Sequence, residues 1–68
     1  MPVYYVNKNA DRNGFHEVHE STCNWMPDPD NAQLVGVFPS CGPAKAEAKK
    51  IYPTADGCAH CSPACHTG

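Results

Sequence analysis

The side chains with chemical potential in this chain are its cysteines and histidines, and two pairs of them are closely spaced. His19 and Cys23 form a His-x3-Cys pair, and Cys58 and Cys61 form a Cys-x2-Cys pair. Imidazole nitrogens and thiolates are the preferred donors of zinc, which takes four of them at tetrahedral corners. Close spacing lets one loop present both donors of a pair. The long spacer between the pairs is the bulk of the chain, so a shared ion would tie its middle to its end. A lone Cys-x2-Cys can equally be a redox dithiol. Two pairs flanking a foldable stretch point instead to Zn2+ held by His19, Cys23, Cys58 and Cys61. Gly57 before Cys58 suits a tight metal turn. Within the same chemistry, Cys41, Cys65, His16 or His66 could replace one member. The ordinary reading of His19 is a surface histidine at a strand end, and its spacing to Cys23 weighs against that.

Cys41, Cys65 and His66 have no seat in a filled four-ligand site. The plain expectation is that Cys41 is a small buried apolar residue at a helix start, since free cysteine is among the most buried types, and that Cys65-His66 is a tail. The sharper alternative places Cys41 at a helix N-terminus, where the dipole favours thiolate. With Cys65 it would then make a redox pair, or with His66 a thiol and its base. No Gly-rich phosphate loop, paired catalytic carboxylates or Ser-His-Asp pattern is visible. Asp28, Asp30 and Asp56 stand in turn-forming contexts and are expected to serve the turns.

Elements must position these residues, and the chain has little apolar material with which to do so. It has 68 residues, room for a single domain over 1–68. The apolar fraction of 41% includes five cysteines, and the clear large apolar positions are few. A chain of this size buries only about 60% of its unfolded surface, so a staple is expected. Five cysteines are an odd number, which would leave a closed disulfide framework with one thiol over. Met1-Pro2 leads almost directly into an apolar strand, without the basic and apolar regions of a secretory signal. The expectation is a reducing, cytoplasmic setting in which metal ligation replaces disulfides. No run approaches the ~20 apolar residues of a membrane span.

Val3 to Val6 reads as a first strand. Asn7 to Gly14 is a polar hairpin loop, and Phe15 to His19 alternates as a second, half-buried strand. Pro27-Asp28-Pro29-Asp30-Asn31 excludes helix and central strand. Leu34 to Phe38 is a third strand ended by Pro39. Ser40 or Gly42 caps a helix with Pro43 in its first turn. Ala44, Ala48, Ile51 and Tyr52 share its inner face, and Pro53 stops it. Asp56-Gly57 makes a turn before Cys58, and Cys61 to Gly68 forms one short helical turn or none. The predicted fold is α+β: a small three-stranded antiparallel sheet covered by one helix and stabilised by zinc.

At this level the chain resembles the zinc-binding module of the Ada DNA-repair protein and related small modules attached to nucleases. The resemblance spans about residues 15 to 61. It rests on Val18-His19-Glu20-Ser21-Thr22-Cys23, the Trp25-Met26 step, Phe38-Pro39-Ser40, the Ala44 to Tyr52 helix and Gly57-Cys58-Ala59-His60-Cys61. It implies the zinc scaffold and, in the repair protein, a first cysteine ligand that accepts a methyl group from a DNA phosphotriester. His19 stands at that position here, and imidazole removes the acceptor, so the resemblance implies the scaffold without the chemistry.

Charge narrows the partners. Five Lys and Arg face seven Asp and Glu, for a net charge of −2, and a zinc with three thiolates lowers it to about −3. Lys45, Lys49 and Lys50, with Lys8 and Arg12, could form a basic patch, and Tyr4, Tyr5 and Trp25 could stack on bases. The acidic balance favours a solvated helix face instead. The expectation is a monomeric structural-zinc module that engages a protein partner, or nucleic acid only weakly. The alternatives are a thiol-redox or zinc-dependent enzyme using Cys41 and Cys65, and a protein that exchanges zinc.

Overall fold

The computed structural model describes residues 1–68. Strands β1 (Val3–Asn7) and β2 (His16–Glu20) form a hairpin, followed by a 3-10 turn at Pro29–Asn31 and by β3 (Ala32–Val37). Helix α1 (Cys41–Ala48), strand β4 (Ala55–Gly57) and a 3-10 turn at Pro63–Cys65 complete the chain. The sheet order is β3-β1-β2-β4. β1 lies antiparallel to both β2 and β3, and β4 runs parallel to β2.

The expected α+β class is observed, with one helix, but the sheet has four strands and is mixed rather than three and antiparallel. The missing strand is Ala55-Asp56-Gly57, whose Asp-Gly pair reads locally as a turn. Neighbours decide otherwise. His16 N–H donates to Thr54 O at 3.2 Å and Cys58 N–H donates to Val18 O at 3.0 Å, which bracket the segment against β2. Parallel pairing needs a long return path, and the chain supplies one through β3 and α1.

Alternation along β1 and β2 sends Tyr4, Val6 and Val18 to the helix side, where they pack on Ala44, Ala48 and Ala55. Val35, Phe38, Cys41 and Tyr52 close the margin of this core. Gly36 sits beside the bulge in the β1–β3 pairing with φ at +145°, and a Cβ there would lie 3.1 Å from the Phe38 ring. The core is small: two alanines from the helix, one from β4, two valines and one tyrosine. His19, opposite Tyr5 in register, points to the other face and is still only 1% exposed.

The helix ends earlier than its apolar spacing suggests. α1 stops at Ala48, and turns carry the chain through Ile51, which is 46% exposed instead of facing the core. Tyr52 does face inward, stacked on the His16 ring at 4.1 Å. The chain must leave the helix there to pass through Pro53 and Thr54 into β4.

Asp56 is buried and is the second correction to the turn reading. Its carboxylate accepts from Lys45 Nζ at 2.9 Å, from the Thr67 N–H and hydroxyl at 3.0 Å, and from the Gly68 N–H at 2.9 Å. Lys45 Nζ also donates to Cys65 O at 2.9 Å. One carboxylate thus fastens the helix and the chain's last residues to the sheet edge. Lys45 is consequently no part of a basic patch. Burial pushes the Asp56 carboxyl up, but the Lys45 ammonium and the Gly68 and Thr67 donors outweigh it and hold the group well below the usual carboxylate range.

Removing one partner of such a pair leaves a buried charge uncompensated. Lys45→Met should destabilise the protein by about 3 kcal/mol in denaturant unfolding. Because folding depresses the Asp56 pKa, its contribution is complete above the unfolded value of about 3.9 and fades as pH falls below it. Asp56→Asn should therefore flatten the acid limb of stability against pH, and an unchanged limb would remove this role.

Candidate metal centre

The cluster is assembled by the β2–β4 pairing. β2 carries His19 near its end, and the turn that follows presents Cys23, whose N–H donates to Glu20 O at 3.0 Å while its carbonyl accepts from Met26 N–H at 3.2 Å. β4 delivers Cys58 beside His19, because Cys58 N–H is bonded to Val18 O. The chain then folds back tightly. His60 N–H donates to Cys58 Sγ at 3.4 Å and Ser62 N–H to Cys58 O at 2.8 Å, which brings Cys61 to the same point.

His19, Cys23, Cys58 and Cys61 each offer one donor atom, and these atoms all lie within 4.8 Å of one another. His19 Nδ1 is 3.9 Å from Cys61 Sγ. A tetrahedral zinc site has donor separations of about 3.6–3.8 Å, so a small closure of the two turns suffices. His19 and Cys58 are buried, Cys23 and Cys61 half-buried. His19 Nε2 is buried without a hydrogen bond, and the nearest carboxylate oxygen recorded for it is Glu17 Oε1 at 3.8 Å. The nitrogen that meets the cluster is Nδ1, and coordination there would leave Nε2 as the N–H; the fit rests on one imidazole and three sulfurs that converge at near-tetrahedral spacing. The donors therefore fit a metal ion.

The proton states fit as well. Burial holds the His19 pKa below its ordinary value, so the ring is kept neutral with a free lone pair. Burial pushes the Cys58 and Cys61 thiols up, so a metal must displace their protons. The backbone N–H groups of His60 and Cys61 at Cys58, and the Glu20 backbone at Cys61, favour thiolate and are ready partners for a metal-bound sulfur.

The candidate replacements are placed elsewhere. His16 Nδ1 lies 2.9 Å from Asn7 O and its ring stacks on Tyr52. His66 Nδ1 lies 3.0 Å from Gly57 O and 3.4 Å from Asp56 Oδ2. Cys41 and Cys65 are joined in a disulfide with Cα atoms 6.2 Å apart. This corrects both the free buried cysteine and the loose tail, and also the expectation that metal ligation replaces disulfides; the sharper alternative pairs these same two cysteines. The odd cysteine count carried the signal: three metal-site thiols and one pair account for all five.

A feature that spacing did not indicate is the contact of Trp25 with His60. Their rings lie 4.5 Å apart and tilted by 42°, one from each ligand turn, and Trp25 is 58% exposed. No helix of the chain is long and apolar enough to cross a membrane. Comparison with protein-family models, with curated proteins and with solved structures found no match.

Two outcomes follow for the ligand set. Cys23→Ser, Cys58→Ser and Cys61→Ser should each abolish 1:1 metal retention in native mass spectrometry, while His16→Ala and His66→Ala retain it; loss in His16→Ala alone would move the imidazole ligand. Because protons compete for the sulfurs and for His19, affinity should fall steeply as pH drops from about 7.5 to about 5. A competition titration that is flat over this range would exclude the thiolate set.

Proposed function

We propose that the chain is a structural-zinc module whose four-ligand centre holds its two halves together. The observation that carries this reading is the convergence of His19 and Cys23 with Cys58 and Cys61 across the parallel β2–β4 pair. Three thiolates and an imidazole are soft and borderline donors that suit zinc over magnesium, calcium or manganese. All four positions are filled by protein, which is the pattern of a structural centre rather than one that keeps a site open for water or substrate. His19, Cys23, Cys58 and Cys61 would hold the ion, and the ion would supply a cross-link.

The resemblance to Ada-type zinc modules enters this reading as a scaffold only. His19 at the methyl acceptor's position removes that chemistry. On the same reading the chain is cytoplasmic, where the thiol pool keeps the three ligand thiols reduced and also bears on the Cys41–Cys65 disulfide, and it acts as a monomer on a protein partner. The net acidic charge disfavours nucleic acid. The exposed Trp25, braced by His60 between the two ligand turns, is a contact surface whose shape depends on the ion.

The test is metal content joined to folding. Native mass spectrometry should find one zinc per chain, and chelation should collapse the dispersed amide NMR spectrum, as expected where metal binding and folding are one event. A well-dispersed, cooperatively unfolding metal-free chain would overturn the structural role. Incubation with methylated DNA should leave every cysteine unmodified by mass; a stoichiometric methyl adduct would restore the repair chemistry.

A further inference from the structure

Beyond the metal cluster, the chain holds a second sulfur site in the disulfide between Cys41 and Cys65. Its two ends are unlike. Cys41 is the first residue of α1, with Ser40 as N-cap. A helix N-terminus favours negative charge on a sulfur placed in its first turn. Cys65 closes the 3-10 turn at Pro63–Cys65, directly after the Cys58–Cys61 turn. Both cysteines are half-buried, so their sulfurs are not sealed in the core.

The Cys65 end is connected to the metal ligands. Cys65 N–H donates to Ser62 O at 3.0 Å, and Ser62 N–H donates to Cys58 O at 2.8 Å. Ser62 is buried, with its hydroxyl 3.8 Å from Cys61 Sγ. A Cβ at Gly57 would lie 2.7 Å from Cys65 Cβ and 2.8 Å from Ser62 O, so this turn presses on the residue before Cys58. The disulfide spans 24 residues of sequence and pins the arrangement to the helix. Opening it leaves the chain end held by Asp56 through Lys45, Thr67 and Gly68, so the turn loosens without detaching.

We propose that Cys41–Cys65 is a thiol-exchange latch on the metal turn, opened by glutathione-type thiols, and that opening it speeds release of the ion. The inference rests on the structural-zinc reading. A glutathione thiolate forms a bond to Cys65 Sγ as the Cys65–Cys41 bond breaks, and the electron pair departs on Cys41 Sγ. Attack falls on Cys65 because it leaves Cys41, on the first turn of α1, as the departing thiolate, where the helix N-terminus stabilises negative charge. A second glutathione thiolate attacks the mixed disulfide at the glutathione sulfur. Cys65 leaves as thiolate and glutathione disulfide departs. Two glutathiones are oxidised by two electrons in total, the protein disulfide takes up those electrons, and the two thiol protons pass to the cysteine sulfurs or to solvent.

The experiment uses the zinc-loaded full chain in stepped ratios of reduced glutathione to glutathione disulfide, quenched by alkylation and read by mass. The expected result is a glutathione adduct on Cys65, followed by alkylation of both Cys41 and Cys65. Zinc transfer to a chromogenic chelator should be about ten- to hundredfold faster from the Cys41→Ser/Cys65→Ser variant than from the oxidised protein, the range seen when supporting contacts of a metal site are removed. If that variant does not fold with zinc, the rate is read on wild-type chain opened by glutathione and alkylated. An adduct on Cys41, a pair that excess glutathione leaves closed, or equal release rates would overturn the latch. Absence of zinc from the oxidised protein would instead overturn the structural-zinc reading, whereas equal rates from a protein holding one zinc per chain overturn the latch alone.

Discussion

The interaction on which the rest depends is the parallel pairing of β4 with β2. It is only three residues long, Ala55–Gly57 against His16–Val18. Yet it alone puts Cys58 beside His19, and with that the second ligand turn beside the first. Three residues of strand cannot hold themselves in place against the chain entropy of the long return path. The pairing needs cross-links around it, and the chain has placed its polar and sulfur chemistry there.

Three kinds of bond meet at that edge of the sheet. The Asp56 carboxylate on β4 gathers Lys45 from the helix and Thr67 and Gly68 from the chain's end. The disulfide joins the helix start to the turn beyond Cys61. The His19/Cys23/Cys58/Cys61 cluster can join both ligand turns through one ion. The apolar core does something different: it seats α1 on β1 and β2 through small side chains, Ala44 and Ala48 against Val6 and Val18. Alanines allow the helix to approach closely but bury little area, so helix seating and sheet closure rest on separate physics. A chain of this length lacks the apolar volume for both.

Much was legible locally. The His-x3-Cys and Cys-x2-Cys spacings named the four residues that the fold brings together, because donor type and short spacing are properties of the chain itself. Alternation in β1 and β2 and the position of α1 were equally readable, to within a few residues. The errors share a cause. Asp56-Gly57 has turn propensity, and Lys45 belongs to an apparently solvated face; both are redirected by partners more than ten residues away. Ile51 continues a helical pattern that tertiary connection cuts off at Ala48.

By itself, the sequence determined the inventory: a core too thin to stand alone, two ligand pairs, one helix and a hairpin. These follow from side-chain chemistry and from periods of two and 3.6 residues, which act over short range. Only the tertiary structure decided the mates: that β4 lies beside β2, that Asp56 receives Lys45, that Cys41 finds Cys65 while Cys23 does not. Cysteine and carboxylate carry no address in their chemistry. Which of several identical groups meet is set by the path of the chain through the sheet and helix, and that path exists only once the fold has closed.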